Sequence, residues 1–104
     1  MTDHEYSLAG EIAFFTGSGR GLGHAIARRL GELGAAVVVH DRSASAPAEF
    51  GEFHDLDDAA ADIASTGART VVVAGDISDE ARVGEMVRAA EAALGPVTVL
   101  VNAA

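Results

Sequence analysis

Apolar residues in this chain fall into short unbroken runs separated by polar, glycine-bearing stretches. The first run is Ile12 to Phe15. Continuous rather than alternating hydrophobicity predicts a strand covered on both faces, as in a parallel sheet. The glycine-rich stretch Gly17 to Gly23 follows. A helix is then predicted to about Leu33, with Leu22, Ile26, Leu30 and Leu33 at helical spacing and Gly34 placed to end it. Ala35 to Val39 predicts a second strand, closed by His40, Asp41 and Arg42. Ser43 to Phe53, with Pro47 and Gly51, reads as loop. Asp55 can cap a helix through Leu56, Ala60, Ile63 and Ala64, closed by Gly67. Thr70 to Ala74 predicts a third strand. Ser78, Asp79 and Glu80 mark a further helix start, with acids at the positive end of its dipole. That helix is expected to bury Val83, Met86, Val87, Ala90 and Leu94 and to stop at Gly95-Pro96, ahead of a fourth strand from Val97 to Val101.

Strict alternation of strands and helices builds an α/β fold, a doubly wound parallel sheet with right-handed crossovers. The chain has 104 residues, 49% of them hydrophobic, which suits one domain over residues 1–104. The stretch Ser43 to Phe53 is too short to divide domains. Pro47 to His54, with Phe50 and Phe53, is either a packed surface loop or a flap beside the site described next.

The stretch Thr16-Gly17-Ser18-Gly19-Arg20-Gly21-Leu22-Gly23 lies between the first strand and the first helix. In a Rossmann-type sheet this is where a dinucleotide binds. Glycines let the backbone approach a pyrophosphate, and the following helix offers N–H groups and a positive dipole end to the anion. A tight turn without a ligand is the plainer alternative, but the strand before and the helix after are the context the motif requires. Asp41 ends the second strand 18 residues after Gly23, near the spacing expected for the acid that bonds the adenosine ribose hydroxyls. A carboxylate there repels a 2′-phosphate, so NAD is favoured over NADP. Arg20 and Arg42 argue the other way, since either can pair with that phosphate.

Charge and composition narrow the partners. Net charge is −9, from 16 acidic and 7 basic residues. Such a surface repels nucleic acid and anionic membrane, and neither is expected as a partner. No apolar run approaches the roughly 18 residues that span a bilayer. Glu49, Glu52, Asp55, Asp57, Asp58 and Asp62 lie between Arg42 and Arg69 with no basic residue among them, which reads as a solvated face. All seven basic residues are Arg, so Schiff-base chemistry and a P-loop lysine are excluded. There is no Cys, hence no disulfide or thiol chemistry, which fits a reducing cytoplasm. Met1 to Gly10 carries Asp3 and Glu5 without a basic residue, unlike a secretory signal. His4, His24, His40 and His54 have no metal-ligand spacing; no metal site is expected, and surface or strand-end roles are. His40 can also line the adenosine pocket beside Asp41.

The Thr-Gly-x-x-x-Gly-x-Gly spacing of Thr16, Gly17, Gly21 and Gly23 resembles the short-chain dehydrogenase/reductase family. Gly75-Asp76-Ile77 resembles the family's turn after the third strand, where the aspartate side chain and the next backbone group contact adenine. Leu100-Val101-Asn102-Ala103-Ala104 is similar to the family's Asn-Ala-Gly motif closing the fourth strand beside the cofactor. These motifs span nearly the whole chain in order. The resemblance implies strand order 3-2-1-4 and an NAD(P)-dependent oxidoreductase that transfers hydride between nicotinamide and an alcohol or carbonyl substrate. Cofactor contacts are implied for Gly17, Ser18, Gly19, Arg20, Gly21, Leu22, Gly23, Asp41, Arg42, Asp76, Ile77, Asn102, Ala103 and Ala104. It also implies a homo-oligomer.

Family members carry a catalytic Ser and a Tyr-x-x-x-Lys pair further along the chain. Here the only tyrosine is Tyr6, and there is no lysine. No catalytic residue is therefore assigned within these residues, and the remainder of a longer chain is expected to supply them. With order 3-2-1-4, the apolar fourth strand becomes a bare edge with one helix on its side of the sheet. A non-catalytic dinucleotide sensor of the same fold is the alternative reading. A Rossmann methyltransferase shares the first turn and the acidic strand end, but not the extended glycine spacing or the Asn102 motif.

Overall fold

A computed structural model describes residues 7–51 and 53–103; His4, Tyr6, Glu52 and Ala104, all singled out above, lie outside them. The elements run β1 (Ile12–Thr16), α1 (Gly21–Glu32), β2 (Ala36–Asp41), a 3-10 helix (Ala46–Phe50), α2 (Leu56–Ala64), β3 (Thr70–Ala74), α3 (Glu80–Leu94) and β4 (Val99–Asn102). All strand pairs are parallel, in the expected order β3-β2-β1-β4.

Alternate residues along each strand serve opposite faces, because side chains in a strand point up and down in turn. Phe15, Val37 and Val39 point towards α1 and α2, where they meet Ala27, Leu56, Ala60 and Ile63. Phe14, Val38 and Val73 point towards α3, where they meet Met86, Ala90 and Leu94. Side-chain caps start α2 and α3 as the sequence predicts. The Asp55 carboxylate accepts from the Asp58 N–H, and the Asp79 carboxylate from the Arg82 N–H.

Four expectations need correction. In α1 the buried residues are Gly23, His24, Ala27 and Gly31, whereas Leu22 is 77% exposed and Ile26 is exposed too. The small side chains let the helix axis come close to the sheet, and that turns Leu22 and Ile26 outward while Leu30 still packs against the core. The second strand continues through His40 and Asp41, both buried, because β3 pairs with them. The stretch read as loop contains the 3-10 helix, with Pro47 near its start, where a missing N–H costs nothing. The last strand begins at Val99, not Val97, and includes Asn102. The Val97 N–H is taken by the Glu91 carboxylate, and Asn102 pairs with Thr16.

β4 hydrogen-bonds only β1 among the described residues, and Leu100 is 71% exposed. Beside it an apolar cleft of about 350 Å³ is lined by Phe14, Val83, Met86 and Leu100 among others. No helix of the described residues is long and apolar enough to cross a membrane.

Candidate functional site

A cleft of about 480 Å³ opens at the carboxyl ends of the strands. It is lined by Gly17, Arg20, Gly21, Leu22 and Gly23 of the first loop and helix, and by His40, Asp41 and Arg42 after β2. Gly75, Asp76 and Ile77 after β3, and Ala103 after β4, complete it. This is the place where open parallel sheets bind ligands.

The glycine loop owes its shape to backbone needs. Gly17 and Gly21 have φ of 70° and 61°, which a side chain disfavours. A Cβ on Gly23 would lie 2.4 Å from the Gly17 carbonyl oxygen, so only glycine lets α1 start under the loop. α1 carries no acidic residue in its first turn and receives no side-chain cap from Arg20. The positive end of a helix favours a negative partner, an anionic ligand among them.

Ser18 fastens the loop to β2. Its N–H donates to the His40 carbonyl (2.8 Å), and its hydroxyl donates to the Phe15 carbonyl (2.8 Å) while accepting from the His40 N–H (2.9 Å). The Ser18 side chain is therefore committed inside the protein and does not line the cleft. Gly19 is also buried, because a Cβ there would meet Asp41 Oδ2, Leu56 Cδ1 and Pro47 Cγ within 2.9 Å. His40 ties a second pair of segments. The Gly17 N–H donates to Nδ1 (3.0 Å), and Nε2 donates to the Gly75 carbonyl (2.8 Å). These two partners fix the tautomer and hold the turn after β3 against the glycine loop.

Asp41 is buried, with 6% of its surface exposed. Oδ1 accepts from the Arg42 N–H at 2.8 Å. Among the described residues Oδ2 accepts no hydrogen bond; Arg20 Nε lies 3.7 Å away. A buried carboxylate oxygen without a donor is costly, and its natural remedy is a donor brought by a ligand. Glu49, on the 3-10 helix, reaches the rim of the same region. One carboxylate oxygen pairs with Arg20 and the other with Arg42, each at 2.5 Å. Arg42 first, and Arg20 second, hold the Glu49 carboxyl below its usual range, and Glu49 in turn raises Arg42.

On the far side of the cleft, Asp76 Oδ1 accepts from the Ser78 N–H and the Ser78 hydroxyl. These bonds, the backbone one foremost, lower the Asp76 pKa from its ordinary value. Gly75 has no room for a side chain, since Arg82 packs over it and donates to the Ala74 carbonyl. Asn102 does not line the cleft. Its Oδ1 accepts from the Thr16 hydroxyl, which in turn accepts from the Ala103 N–H, so the two strand ends are laced together.

Most predicted site residues thus converge, with Ser18, Gly19 and Asn102 supporting the cleft from behind. Sequence reasoning missed the loop-to-strand ties of His40, the role of Gly75 as a lining residue, and the Glu49 fork. It also missed His24, expected at the surface but buried, with its ring nitrogens facing the Ser18 carbonyl and the Asp62 carboxylate. A histidine on the small-residue face of α1 was the available signal.

The fold is that of a Rossmann-type α/β sheet. A family model described as short chain dehydrogenase matches residues 11–104, and the chain belongs to that family. It is 43% identical over 100 residues to an NADPH-dependent aldehyde reductase-like protein, chloroplastic, of Arabidopsis thaliana, covering 93% of this chain and 37% of that protein. It is 39% identical over 101 residues to a hydroxyacyl-CoA dehydrogenase of Mycobacterium tuberculosis, covering 97% of this chain and 30% of that one. Among solved structures, a short chain dehydrogenase of Mycobacterium thermoresistibile superposes with TM-score 0.82 at 31% identity, over 94% of this chain and 34% of the other. A hydroxysteroid dehydrogenase of Escherichia coli gives 0.78 at 31%, over 92% of this chain and 37% of the other. The chain spans about a third of the length of the curated relatives it matches.

Proposed function

We propose that these residues form the coenzyme-binding part of an NAD(P)-dependent oxidoreductase that moves hydride between nicotinamide and an alcohol or carbonyl substrate. The glycine loop and the start of α1 receive the pyrophosphate, with Gly17, Gly21 and Gly23 keeping backbone close to it. Asp41 accepts hydrogen bonds from the adenosine ribose. Asp76 and Ile77 flank the adenine, and Ala103, just after β4, lies on the nicotinamide side. When bound, the nicotinamide ring supplies the hydride donor or acceptor. Everything assigned to this chain is binding and orientation.

The observation that carries this reading is Asp41 Oδ2, a buried acceptor with no donor, at the edge of the cleft. It also favours NAD over NADP. A 2′-phosphate would meet the Asp41 carboxylate at contact distance, where like charges repel strongly. The aldehyde reductase-like relative is named for NADPH, and Arg20 and Arg42 flank Asp41 here, but both are already paired with Glu49.

Equilibrium titration of the purified protein with NADH, NADPH and S-adenosylmethionine tests the proposal. NADH is expected to bind more tightly than NADPH. Asp41→Ala is expected to weaken NADH by about 10-fold to 100-fold, the worth of hydrogen bonds to a charged acceptor. Binding of S-adenosylmethionine but neither dinucleotide would overturn the coenzyme assignment. An unchanged NADH/NADPH preference in the variant would remove Asp41 from the ribose.

A further inference from the structure

Two cations flank Asp41 at the cleft, one from the glycine loop and one from the residue after β2. Left alone, Arg20 and Arg42 would offer charge-assisted hydrogen bonds to a phosphate. Glu49 takes that place. Its Oε2 pairs with Arg20 Nη1 and its Oε1 with Arg42 Nη2, so one carboxylate spans both guanidinium groups. The position of Glu49 follows from packing. Ala46 and Pro47 of its 3-10 helix are buried, with Pro47 Cγ wedged under Gly19 beside Leu56. Glu49 and Arg42 are about half exposed, and exposed ion pairs add little to stability. The fork therefore does more for the charge of the cleft than for the fold.

We infer that Glu49 is a second determinant of coenzyme choice: it fills the two arginines as an internal anion and so excludes the 2′-phosphate of NADP(H). This rests on the coenzyme site proposed above. Selectivity of this kind comes from what the wrong ligand must displace and from the charge it must approach. An incoming 2′-phosphate must break both Glu49 pairs and then sit beside two carboxylates, Glu49 and Asp41. NAD(H) meets neither requirement, since its ribose hydroxyls address Asp41 alone.

The test is titration of the purified protein and its Glu49→Gln, Asp41→Ala and doubly substituted forms with NADH and NADPH. Gln keeps the shape but not the charge. Glu49→Gln is expected to tighten NADPH by about tenfold, the scale of one freed charge-assisted contact, and to move NADH by less than about threefold. The gain is expected to be larger in the Asp41→Ala background, where the other repelling carboxylate is gone. Glu49→Asp, too short to span both guanidinium groups, is expected to move the ratio the same way. An NADPH/NADH ratio within about twofold of the parent in both backgrounds would overturn the inference while leaving the coenzyme site intact. Failure of the unsubstituted protein to bind either coenzyme would overturn both. Thermal melting of each variant separates these outcomes from misfolding.

Discussion

On the α1/α2 side of the sheet, Phe15, Val37, Val39, Leu56 and Ile63 are wholly sealed. On the α3 side, Ile12, Phe14, Val73 and Leu94 keep some exposure, and Val71, Val83, Val87 and Val97 are only partly covered. Two helices cover the first face and one covers the second. The first face also packs Leu56 and Pro47 against Gly19 of the glycine loop, and Ser18 ties that loop to the His40 backbone. The difference teaches that close packing is concentrated on the face that also holds the glycine loop in place. The α3 side instead ends in the apolar cleft beside Leu100, a surface of the kind that takes further apolar contacts.

The comparison is broken most strongly by emptying the sealed face. Phe15→Ala is expected to cost roughly 3–5 kcal/mol, because the ring is fully buried and α1 and α2 cannot both collapse into the gap. Val83→Ala, a smaller truncation on the other face, is expected to cost about 1 kcal/mol, since two carbons are removed from a partly buried side chain. Urea unfolding of the two variants measures the contrast, and equal losses despite the smaller truncation would mean that the α3 face is at least as tightly packed. At the edge, Leu100→Lys is expected to change stability by less than about 0.5 kcal/mol while reducing self-association, read by light scattering. A large destabilisation would show that Leu100 is packed in solution.

The smallest effect is acid sensitivity on the open side of the cleft. Asp76 has its pKa depressed by the Ser78 bonds, so its contribution is present at neutral pH. It is lost as pH falls from the ordinary value of 3.8 through the lower folded value. Replacing Asp76 by Asn should flatten that acid limb of the stability profile without moving the neutral plateau much. An unchanged acid limb would mean that the turn does not form in solution.

Helix starts and the glycine loop were legible in the sequence for local reasons, whereas the strand order followed from the family resemblance. Continuous apolar runs, caps at Asp55 and Asp79, and glycine spacing each act over a few residues. The inner face of α1 was not legible, since a row of Leu and Ile outweighs Gly23, Ala27 and Gly31 in any periodicity count. Only close approach to the sheet rewards the small residues. The extension of β2 to Asp41 was hidden for a related reason: polar residues at a strand end look like loop until a neighbouring strand pairs with them.

By itself the sequence determined an α/β sheet with a nucleotide-type loop, an acid at the end of the second strand, and no lysine or cysteine chemistry. Those follow from residue type and short-range spacing. Tertiary structure alone decided that Asp41 keeps one buried oxygen without a donor, that His40 bridges the glycine loop to the turn after β3, and that Glu49 spans Arg20 and Arg42. The last two join segments 7 to 35 residues apart along the chain, through distances of a few ångströms that no local pattern encodes.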